Sequence, residues 1–508
     1  MTLAKVQTIS LNGLSGHLVD VEVDISDGLP GYTLLGLPDA ALSESRERVR
    51  SALVNSGAPW PNRKVTVSLS PAWLPKSGSG YDLPIAMALL IAQAIVEVSC
   101  IESSIFLGEL GLDGQIRGVR GALPSIISAQ QRGVKQAIIS FENYLECQAI
   151  PGIELIAFAD LRELLNFFQN GQLPIREVNS KVEIENEATK DLTDVAGQDL
   201  PRRALEIAAV GAHHLLLLGP PGAGKTMLAE RLPGILPELT IEQALEVASI
   251  ASLSGTNSAR MALDRRPPFI SPHHSTTATA MIGGGTHFIR PGACSQANLG
   301  VLFIDEAPEC SNGVLASLRQ PLESGVATIS RAVGTLTYPA KFLLVLAANP
   351  CPCGKYSGKG RGCKCSSLAI RRYVQKISGP LLDRIDIRIF VEPPTRVEMS
   401  AAELGESSAV VRTRVASARA AARERFREFP WELNSHIPAS QLRKRFSAQK
   451  PAMQLLHQEL DAERLSARGL HKTLRVAWSI ADLIGATIPT LECVEEAYRL
   501  RAGTSEIL

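Results

Sequence analysis

The chain has little of what marks a membrane protein or a protein with an overall nucleic-acid-binding charge. Its 52 Lys and Arg residues almost cancel its 51 Asp and Glu residues, so any nucleic-acid contact must come from a local patch. The longest apolar run, Leu83 to Val98, is interrupted by Gln93 and Glu97, which argues against a membrane span. The opening residues lack the apolar segment of a signal peptide. We therefore expect no membrane partner and a cytoplasmic location.

Cysteine is scarce too. The 508 residues include nine cysteines, four of them between Cys351 and Cys365, a distribution unlike the disulfide framework of a secreted domain. Apolar material is plentiful, because 45% of the residues are hydrophobic and only 20% are charged, which is typical of a globular protein. The length exceeds that of a single hydrophobic core, so we expect two to three domains.

Changes of pattern along the chain predict where these domains lie. Residues 1–175 mix alternating and helical stretches and predict an α+β domain. Residues 176–192 are polar without aromatics and predict a linker, with a short polar strand as the alternative. Residues 193–395 predict an α/β core. Residues 396–508 carry Ala, Arg and Glu at helical spacing and predict a helical subdomain.

Three continuous apolar runs in the core predict buried parallel strands. They are Leu215 to Leu218, Val301 to Ile304 and Phe342 to Ala348, and each is followed by polar or glycine-rich residues. Ligands bind at the carboxyl ends of such strands, so the functional groups are expected there.

A glycine-rich loop between the first run and a helical segment predicts a phosphate-binding P-loop. Its glycines let backbone N–H groups turn towards phosphates, and the helix that follows adds its positive end. We expect Lys225 to reach the β- and γ-phosphates of ATP and Thr226 to bind Mg²⁺. The loop comprises Gly219, Pro220, Pro221, Gly222, Ala223, Gly224, Lys225 and Thr226.

Acidic and amide side chains follow the other two runs. Asp305 and Glu306 come directly after the second, where Asp305 could complete the magnesium shell and Glu306 could polarise the attacking water. Such a pair can also be a helix cap, but the P-loop upstream favours the catalytic interpretation. Asn349 follows the third run, and its amide is suited to orient the same water, with a turn residue as the alternative.

Five motifs in this order resemble the ComM/YifB branch of magnesium-chelatase-like AAA+ proteins nearly end to end. The motifs are TDVAGQ from Thr193, GPPGAGKT, LFIDEAPE, AANPCPCG and SGPLLDRID. The resemblance implies an α/β fold with an AAA+ P-loop core, an N-terminal Lon-protease-like α+β domain and a C-terminal helical lid. It also implies that Val195 lines the adenine pocket and that Asn349 is sensor 1.

The same resemblance implies that Arg384 is an arginine finger given to a neighbouring subunit, where it would stabilise charge on the transferred phosphoryl group. The alternative is a surface arginine paired with Asp383 or Asp386. Arg475 is the sensor-2 candidate, because it is expected to open the helix LRVAWSIADL, where a cation opposes the helix dipole unless an anion compensates it. Arg468 and a plain solvated arginine are the alternatives.

Four cysteines in the insert 351–365 form two C-x-C pairs separated by nine residues. Four thiolates can close a tetrahedral Zn²⁺ site, so we predict structural zinc. The C-x-C spacing is tighter than the usual zinc spacing, which leaves reduced free thiols as the alternative. The cysteines are Cys351, Cys353, Cys363 and Cys365. The basic residues of the loop, which contact phosphates or are simply solvated, are Lys355, Lys359, Arg361 and Lys364.

Two inserts near the second strand are candidates for contact with DNA. Gly325 to Lys341 alternates, turns and alternates again, which predicts a β-hairpin, and similar inserts face the ring pore in the AAA+ clade that the chain resembles. Arg331, close to its tip, is the DNA-contact candidate, with plain exposure as the alternative. A glycine-rich stretch from Ser271 to Gly285 is a candidate second pore loop. Its His273 and His274 lack ligands at helical spacing, so no metal role is expected.

The N-terminal domain resembles the Lon-like domain of this family through PKSGSGYDLPIA and GELGLDGQIRGVRGALPSIISAQQRGVK. Where a Lon-type protease carries its serine and lysine, this chain aligns Gly80 and Pro124, which supply neither a nucleophile nor a base. Ser77 and Ser79 lie nearby, so a shifted alignment is the alternative. We interpret the domain as a non-catalytic assembly or DNA-handling module.

The resemblance implies a hexameric, ATP-hydrolysing ring that moves along branched DNA as a branch-migration helicase in transformation and recombination. The alternatives are a chelatase-type motor acting on a protein partner, an ATP-dependent Lon-like protease and a nucleotide switch. The protease lacks a nucleophile, and a switch does not require both Glu306 and Arg384.

Overall fold

The computed structural model describes residues 2–76, 78–97, 103–173, 190–256, 261, 264–285, 289–331, 334–356, 362–377, 379–400 and 405–502. Most of the predicted linker, together with Ser77, Lys359 and Arg361, lies outside these residues. The chain forms two compact units. The first contains Met1–Ile184 and Thr240–Arg265, and the second contains Glu185–Leu239 and Arg266–Leu508.

The first unit is built on a seven-stranded sheet in the order β3-β4-β2-β1-β5-β8-β9. Alternation in β2 buries Val19, Val21, Val23 and Ile25 and leaves the residues between them partly exposed, as a half-buried strand requires. The strands are β1 (Thr2–Asn12), β2 (Ser15–Ser26), β3 (Gly31–Leu35), β4 (Lys64–Ser70), β5 (Ser104–Leu107), β8 (Gln136–Ser140), β9 (Glu154–Phe158) and the separate pair β6 (Glu109–Leu110) and β7 (Ile116–Arg117).

Helices cover this sheet, and the longest apolar run of the sequence is one of them. All residues of α3 are buried, which explains a run that is apolar on every side. The helices of the first unit are α1 (Ala40–Ser43), α2 (Ser45–Asn55), α3 (Asp82–Ala92), α4 (Ala122–Gln131), α5 (Phe141–Cys147), α6 (Leu161–Asn170) and α9 (Ile241–Ser254).

The second unit contains a five-stranded parallel sheet in the order β11-β14-β17-β10-β18. The three apolar runs are β10, β14 and β17, whose residues are all buried, so the prediction of an α/β fold with buried parallel strands is confirmed. The strands are β10 (Leu215–Leu218), β11 (Phe269–Ile270), β14 (Val301–Ile304), β17 (Leu343–Ala348), β18 (Ile387–Phe390), and the pairs β12 (Gly283–Gly284) with β13 (Arg290–Pro291) and β15 (Val326–Arg331) with β16 (Gly334–Pro339).

Helices of the second unit surround the sheet and continue into the C-terminal region, where rings of Phe426, Phe429, Phe446 and Trp478 pack together. The helices are α7 (Asp199–Gly211), α8 (Lys225–Ile235), α10 (Ala278–Ile282), α11 (Ala293–Gln296), α12 (Asn312–Ser317), α13 (Arg319–Ser324), α14 (Ser367–Gln375), α15 (Gly379–Leu382), α16 (Arg396–Ser400), α17 (Ser408–Arg425), α18 (Ala439–Lys444), α19 (Lys450–Asp461), α20 (Ala467–Leu483) and α21 (Leu491–Ala502). Among the described helices none is long and apolar enough to cross a membrane.

The division into units differs from the predicted domains at α9. The sequence assigns this helix to the core of residues 193–395, whereas the structure groups it with the first unit. Its Ala248 is fully buried in a core shared with α4, and the Ser252 hydroxyl accepts a hydrogen bond of 3.1 Å from the Gly121 backbone N–H. The apolar face of α9 is therefore satisfied by tertiary packing that local sequence does not reveal.

Candidate nucleotide site and cysteine cluster

The glycine-rich loop lies between β10 and α8, at the carboxyl end of the parallel sheet. Gly222 and Gly224 have φ of +78° and +87°, conformations that favour glycine. A Cβ built on Gly222 meets nothing within 4 Å, so the loop is open on that side. Because α8 begins at Lys225, the N–H groups of its first turn are free of intrahelical acceptors, as an anion site requires.

The Lys225 side chain lies across this loop. Its Nζ donates hydrogen bonds to the carbonyl oxygens of Gly219, at 2.6 Å, and Pro220, at 2.9 Å, and to Asn349 Oδ1 at 3.1 Å. Burial lowers the pKa of Lys225, while Asp305 and Glu306 act in the opposite direction. The arrangement brings together the ends of β10 and β17, as the sequence predicts for these strands.

Thr226 and Asp305 also meet. The Thr226 hydroxyl donates to Asp305 Oδ2 over 2.8 Å. Two adjacent oxygen ligands of an octahedral Mg²⁺, each about 2.1 Å from the ion, lie about 3 Å apart. The pair therefore fits the spacing and the oxygen chemistry of a magnesium site.

Glu306 faces His274, which lies in the glycine-rich stretch predicted as a second pore loop and for which no metal role was expected. Glu306 has a left-handed backbone, with φ of +48°, and such strain in a non-glycine residue is common at functional sites. His274 Nδ1 lies 3.5 Å from Glu306 Oε2, and the rings of His273 and His274 are 4.0 Å apart. His274 follows β11, the neighbour of β14, and only the strand order could have indicated this contact.

Val195 and Arg475, two further predicted nucleotide contacts, have no hydrogen bond in the structure to the P-loop residues described above. Val195 is 1% exposed and follows a 3₁₀ turn at Leu192–Asp194. Arg475 donates from Nε and Nη2 to the Ile437 carbonyl, at 2.9 and 2.7 Å. The expectation that Arg475 opens its helix is wrong, because α20 begins at Ala467 after the Ser466 cap. Leu474 to Trp478 therefore lie in the interior of a helix that begins earlier. Arg475 is not in the first turn, so the helix dipole gives no reason to expect an anion beside it.

Arg384 lies on the segment between α15 and β18. Its guanidinium pairs with Glu323 at the end of α13 and donates to the Pro380 carbonyl. Among the described residues, Arg384 pairs with neither Asp383 nor Asp386, the two alternatives from sequence. Asp383 instead faces Arg468 at 3.4 Å, and Asp386 faces Lys472 at 2.5 Å.

Cations of the C-terminal helices hold the backbone beside Arg384. Lys472 of α20 donates to the Arg384 carbonyl at 2.8 Å, and Arg501 of α21 donates to the Ile385 carbonyl at 2.9 Å. These two hydrogen bonds therefore fix the backbone of the segment that carries the Arg384 guanidinium.

The four cysteines of the insert converge. All four sulfur atoms lie within 4.8 Å of one another, with Sγ–Sγ distances of 3.4, 3.7 and 3.6 Å among Cys351, Cys353 and Cys363. A tetrahedral zinc–sulfur bond of about 2.3 Å corresponds to sulfur atoms about 3.8 Å apart, whereas a disulfide needs about 2.05 Å. A hydrogen bond from the Lys355 backbone, together with one from Cys351, lowers the pKa of the Cys353 thiol to about 6. The donor set and its spacing fit Zn²⁺.

The predicted hairpin is confirmed as β15 and β16, which pair antiparallel with Arg331 opposite Gly334 near the turn. Arg331 is exposed. The Tyr338 hydroxyl donates to the Ile289 carbonyl at 2.8 Å. Exposed Arg290 belongs to β13, which pairs with β12 at the end of the second glycine-rich stretch.

In the first unit, the positions aligned with Lon-type catalytic residues have apolar surroundings. A Cβ built on Gly80 would lie 3.3 Å from Leu107 and 3.6 Å from Val119, and Pro124 is buried in α4. The Ser79 hydroxyl donates to the Glu109 carboxylate. Lys76 is 1% exposed, and its Nζ donates to the carbonyls of Leu69 and Pro71. It is therefore engaged by backbone.

Family models match most of the chain. A model described as magnesium chelatase, subunit ChlI, matches residues 191–399. One described as subunit ChlI of Mg-chelatase matches residues 21–143, and one for the C-terminal part of that subunit matches residues 405–501.

Full-length relatives are also similar. An uncharacterized protein of Mycobacterium tuberculosis is 45% identical over 501 residues, which cover 99% of each chain. YifB of Escherichia coli is 41% identical over 503 residues, covering 99% of this chain and 97% of YifB. The competence protein ComM of Haemophilus influenzae is 41% identical over 491 residues, covering 96% and 94%. The chain belongs to the ComM/YifB family of magnesium-chelatase-like AAA+ ATPases.

Proposed function

We propose that the protein is a ring-forming, ATP-hydrolysing motor, a hexamer that drives branch migration of branched DNA in transformation and recombination. The observation that carries the ATPase part is the convergence of Lys225, Thr226, Asp305 and Asn349 at the end of one sheet. A cytoplasmic location remains a prediction.

The residues divide the work of hydrolysis. The P-loop N–H groups and Lys225 bind the phosphates, and Thr226 with Asp305 holds Mg²⁺. When bound, the metal neutralises charge that develops on the phosphates. Glu306 orients the attacking water and takes its proton, while Asn349 positions that water from the end of the neighbouring strand β17. His274 holds the Glu306 carboxylate in place. Val195 lines the base pocket, and Arg475 is retained as the sensor-2 candidate.

Arg384 acts in a neighbouring subunit rather than in its own. In one subunit it lies against Glu323, and on assembly it exchanges that carboxylate for the neighbour's phosphate. An exposed ion pair contributes little stability, so this exchange is easy. The Lys472 and Arg501 contacts keep the backbone of Arg384 fixed during the exchange.

DNA contact is assigned to the hairpin tip at Arg331, with Arg290 of β13 as a second cation. Support comes from their exposure and from the relative named a competence protein. The first unit is a non-proteolytic module that aids assembly or DNA handling. The four cysteines hold one structural Zn²⁺ per chain, and metal analysis of protein purified without chelators tests this directly.

A branch-migration assay on a synthetic four-way DNA junction tests the proposal. Wild type should dissociate the junction only with ATP, and Glu306→Gln should bind ATP without doing so. Arg331→Ala should lose junction activity while retaining basal ATP turnover, and Arg427→Ala, at a comparably exposed arginine, is the control. ATP turnover with no response to any DNA would instead support a chelatase-type motor acting on a protein partner.

A further inference from the structure

We propose that the metal-closed cysteine loop is a working part of the nucleotide site: it supports the P-loop from outside and fixes Asn349. The inference rests on the proposed Zn²⁺ site and adds a role for it. Two independent contacts carry it, one to the P-loop and one to the end of β17.

The first contact joins the loop to Pro221 of the P-loop. Gly354 has φ of +72°, and a Cβ built on it would lie 2.5 Å from Pro221 Cδ and 2.6 Å from its Cγ. Such distances are far below normal contact, so only glycine permits this approach. The backbone at Gly354 therefore packs directly on the ring of Pro221.

The second contact is at Asn349, which lies close to both the start of the cysteine insert and the helix α14 that follows it. Cys351 follows Asn349 by two residues and is fully buried. After the insert, α14 brings the Tyr373 hydroxyl close to the backbone of Asn349. Asn349 in turn accepts the hydrogen bond from Lys225. The cysteine insert thus begins two residues after Asn349, which contacts the P-loop lysine, and is followed by the helix whose Tyr373 lies near the same residue.

A metal ion is what would make this arrangement rigid. Cys351 and Cys353 belong to the end of the insert near Asn349, and Cys363 and Cys365 belong to the end near α14. Four thiolates on one Zn²⁺ join the two ends through strong bonds. Without the metal, the contacts between Cys363 and the pair Cys351 and Cys353 are reduced to weak thiol interactions. Loss of zinc should therefore weaken nucleotide binding and slow turnover, although the cysteines are not among the residues proposed to bind the nucleotide.

A pair of glycine variants separates the contact from the general strain of changing the loop. Gly354→Ala and Gly362→Ala both place alanine at a positive φ in the same insert, but a Cβ on Gly362 meets nothing within 4 Å. Overpacking of this kind typically corresponds to about tenfold in an equilibrium constant. We expect Gly354→Ala to raise the Kd for a fluorescent ATP analogue about tenfold with zinc content unchanged, and Gly362→Ala to remain near wild type.

Metal replacement provides a second readout. Protein stripped of zinc and reloaded with Co²⁺ should show the absorption of a four-thiolate site, and ATP affinity should fall on stripping and return on reloading. Absence of zinc from the purified protein and of any four-thiolate Co²⁺ spectrum would overturn the metal site itself. If the metal is present but Gly354→Ala and stripping both leave ATP affinity and turnover unchanged, the supporting role is wrong while the ATPase proposal stands.

Discussion

Two regions of this chain contain motifs that resemble active sites, and they differ in what surrounds those motifs. At the end of the parallel sheet, Lys225, Thr226, Asp305 and Asn349 are linked by hydrogen bonds of 2.8 to 3.1 Å. Around Gly80 in the first unit, the position aligned with a serine nucleophile is bounded by Leu107 and Val119. Both regions resemble an active site in sequence, but polar side chains converge only at the nucleotide site, whereas Gly80 has apolar neighbours.

Chemistry follows the side chains, and a resembling sequence motif alone does not supply it. The nucleotide site brings together polar groups from the ends of neighbouring strands, including Lys225 and Asn349, and it holds Glu306 at a left-handed φ. Around Gly80, the positions that the sequence resemblance aligns with the serine and lysine are Gly80 and Pro124, neither of which is a nucleophile or a base, and the buried Lys76 donates to backbone carbonyls. We therefore expect substitutions at the nucleotide site to have large effects on ATP turnover. Substitutions around Gly80 should have no effect on catalysis.

The largest effect is expected at the P-loop. Lys225→Ala should reduce ATP turnover to background, because it removes the cation that binds the phosphates and contacts Asn349. Glu306→Gln should bind nucleotide normally and hydrolyse it about a hundredfold or more slowly. Turnover by a phosphate-release assay and binding by a fluorescent analogue measure both, with exposed Lys190→Ala as control. Near-normal turnover in either variant would show that the residue changed is not part of the catalytic site.

Arg384→Ala should cost about a thousandfold in turnover, as expected for an arginine finger. Its trans role is measured by mixing. Arg384→Ala keeps Lys225, and Lys225→Ala keeps Arg384, so mixed rings contain some interfaces where an intact P-loop faces an intact finger. Those interfaces should hydrolyse ATP above either parent.

Subunit exchange and assembly with nucleotide must be shown first in that experiment. Verified mixed rings that are no more active than the parents would remove the support for a trans role, unless several adjacent sites must be intact. Doping with wild type at graded ratios separates these cases. A steep loss indicates coupling around the ring, and a proportional loss indicates independent sites.

A smaller effect is expected at His274. Replacing it with alanine removes the side chain that faces Glu306 but leaves the phosphate contacts intact. Turnover should fall about tenfold, at the low end for a group that assists proton transfer, while the KM for ATP stays within about twofold. His457→Ala, on the exposed face of α19, serves as control. Unchanged turnover would mean that the His274–Glu306 contact does not act in hydrolysis.

Sequence reasoning predicted the strands and the P-loop because both are local: a continuous apolar run and a glycine pattern carry their own signal. It also brought Asp305 and Asn349 to the right edge, since parallel strands end together. The contact between His274 and Glu306 was not predicted, because the two residues follow β11 and β14 and only the order of strands in the sheet shows that these are neighbours. The position of α9 was not predicted because its packing on α4 is a tertiary contact that the local sequence does not reveal. The helix start before Arg475 was placed too late because the Ser466 cap lies nine residues before Arg475.

The smallest expected effect, none at all, comes from adding a nucleophile to the first unit. Gly80→Ser places a hydroxyl where a Lon-type protease carries its serine. The change is sterically mild, because the nearest atom to a Cβ there is the end of the Leu107 side chain at 3.3 Å. We expect no peptidase activity, since a serine hydroxyl is a weak nucleophile without a neighbouring base and Pro124 cannot act as one.

The measurement is hydrolysis of fluorogenic peptides and casein with ATP, combined with labelling by a serine-reactive fluorophosphonate. Gly80→Ala is the matched control, because it has the same added Cβ without the hydroxyl, and any contaminating protease acts equally in both preparations. Hydrolysis in Gly80→Ser that is absent from Gly80→Ala would show that the region keeps a functional base after all. Glu109 would then be the first group to replace, because it already accepts the hydrogen bond of Ser79. Equal and negligible hydrolysis in both variants would agree with the expectation that a serine at position 80 has no base beside it.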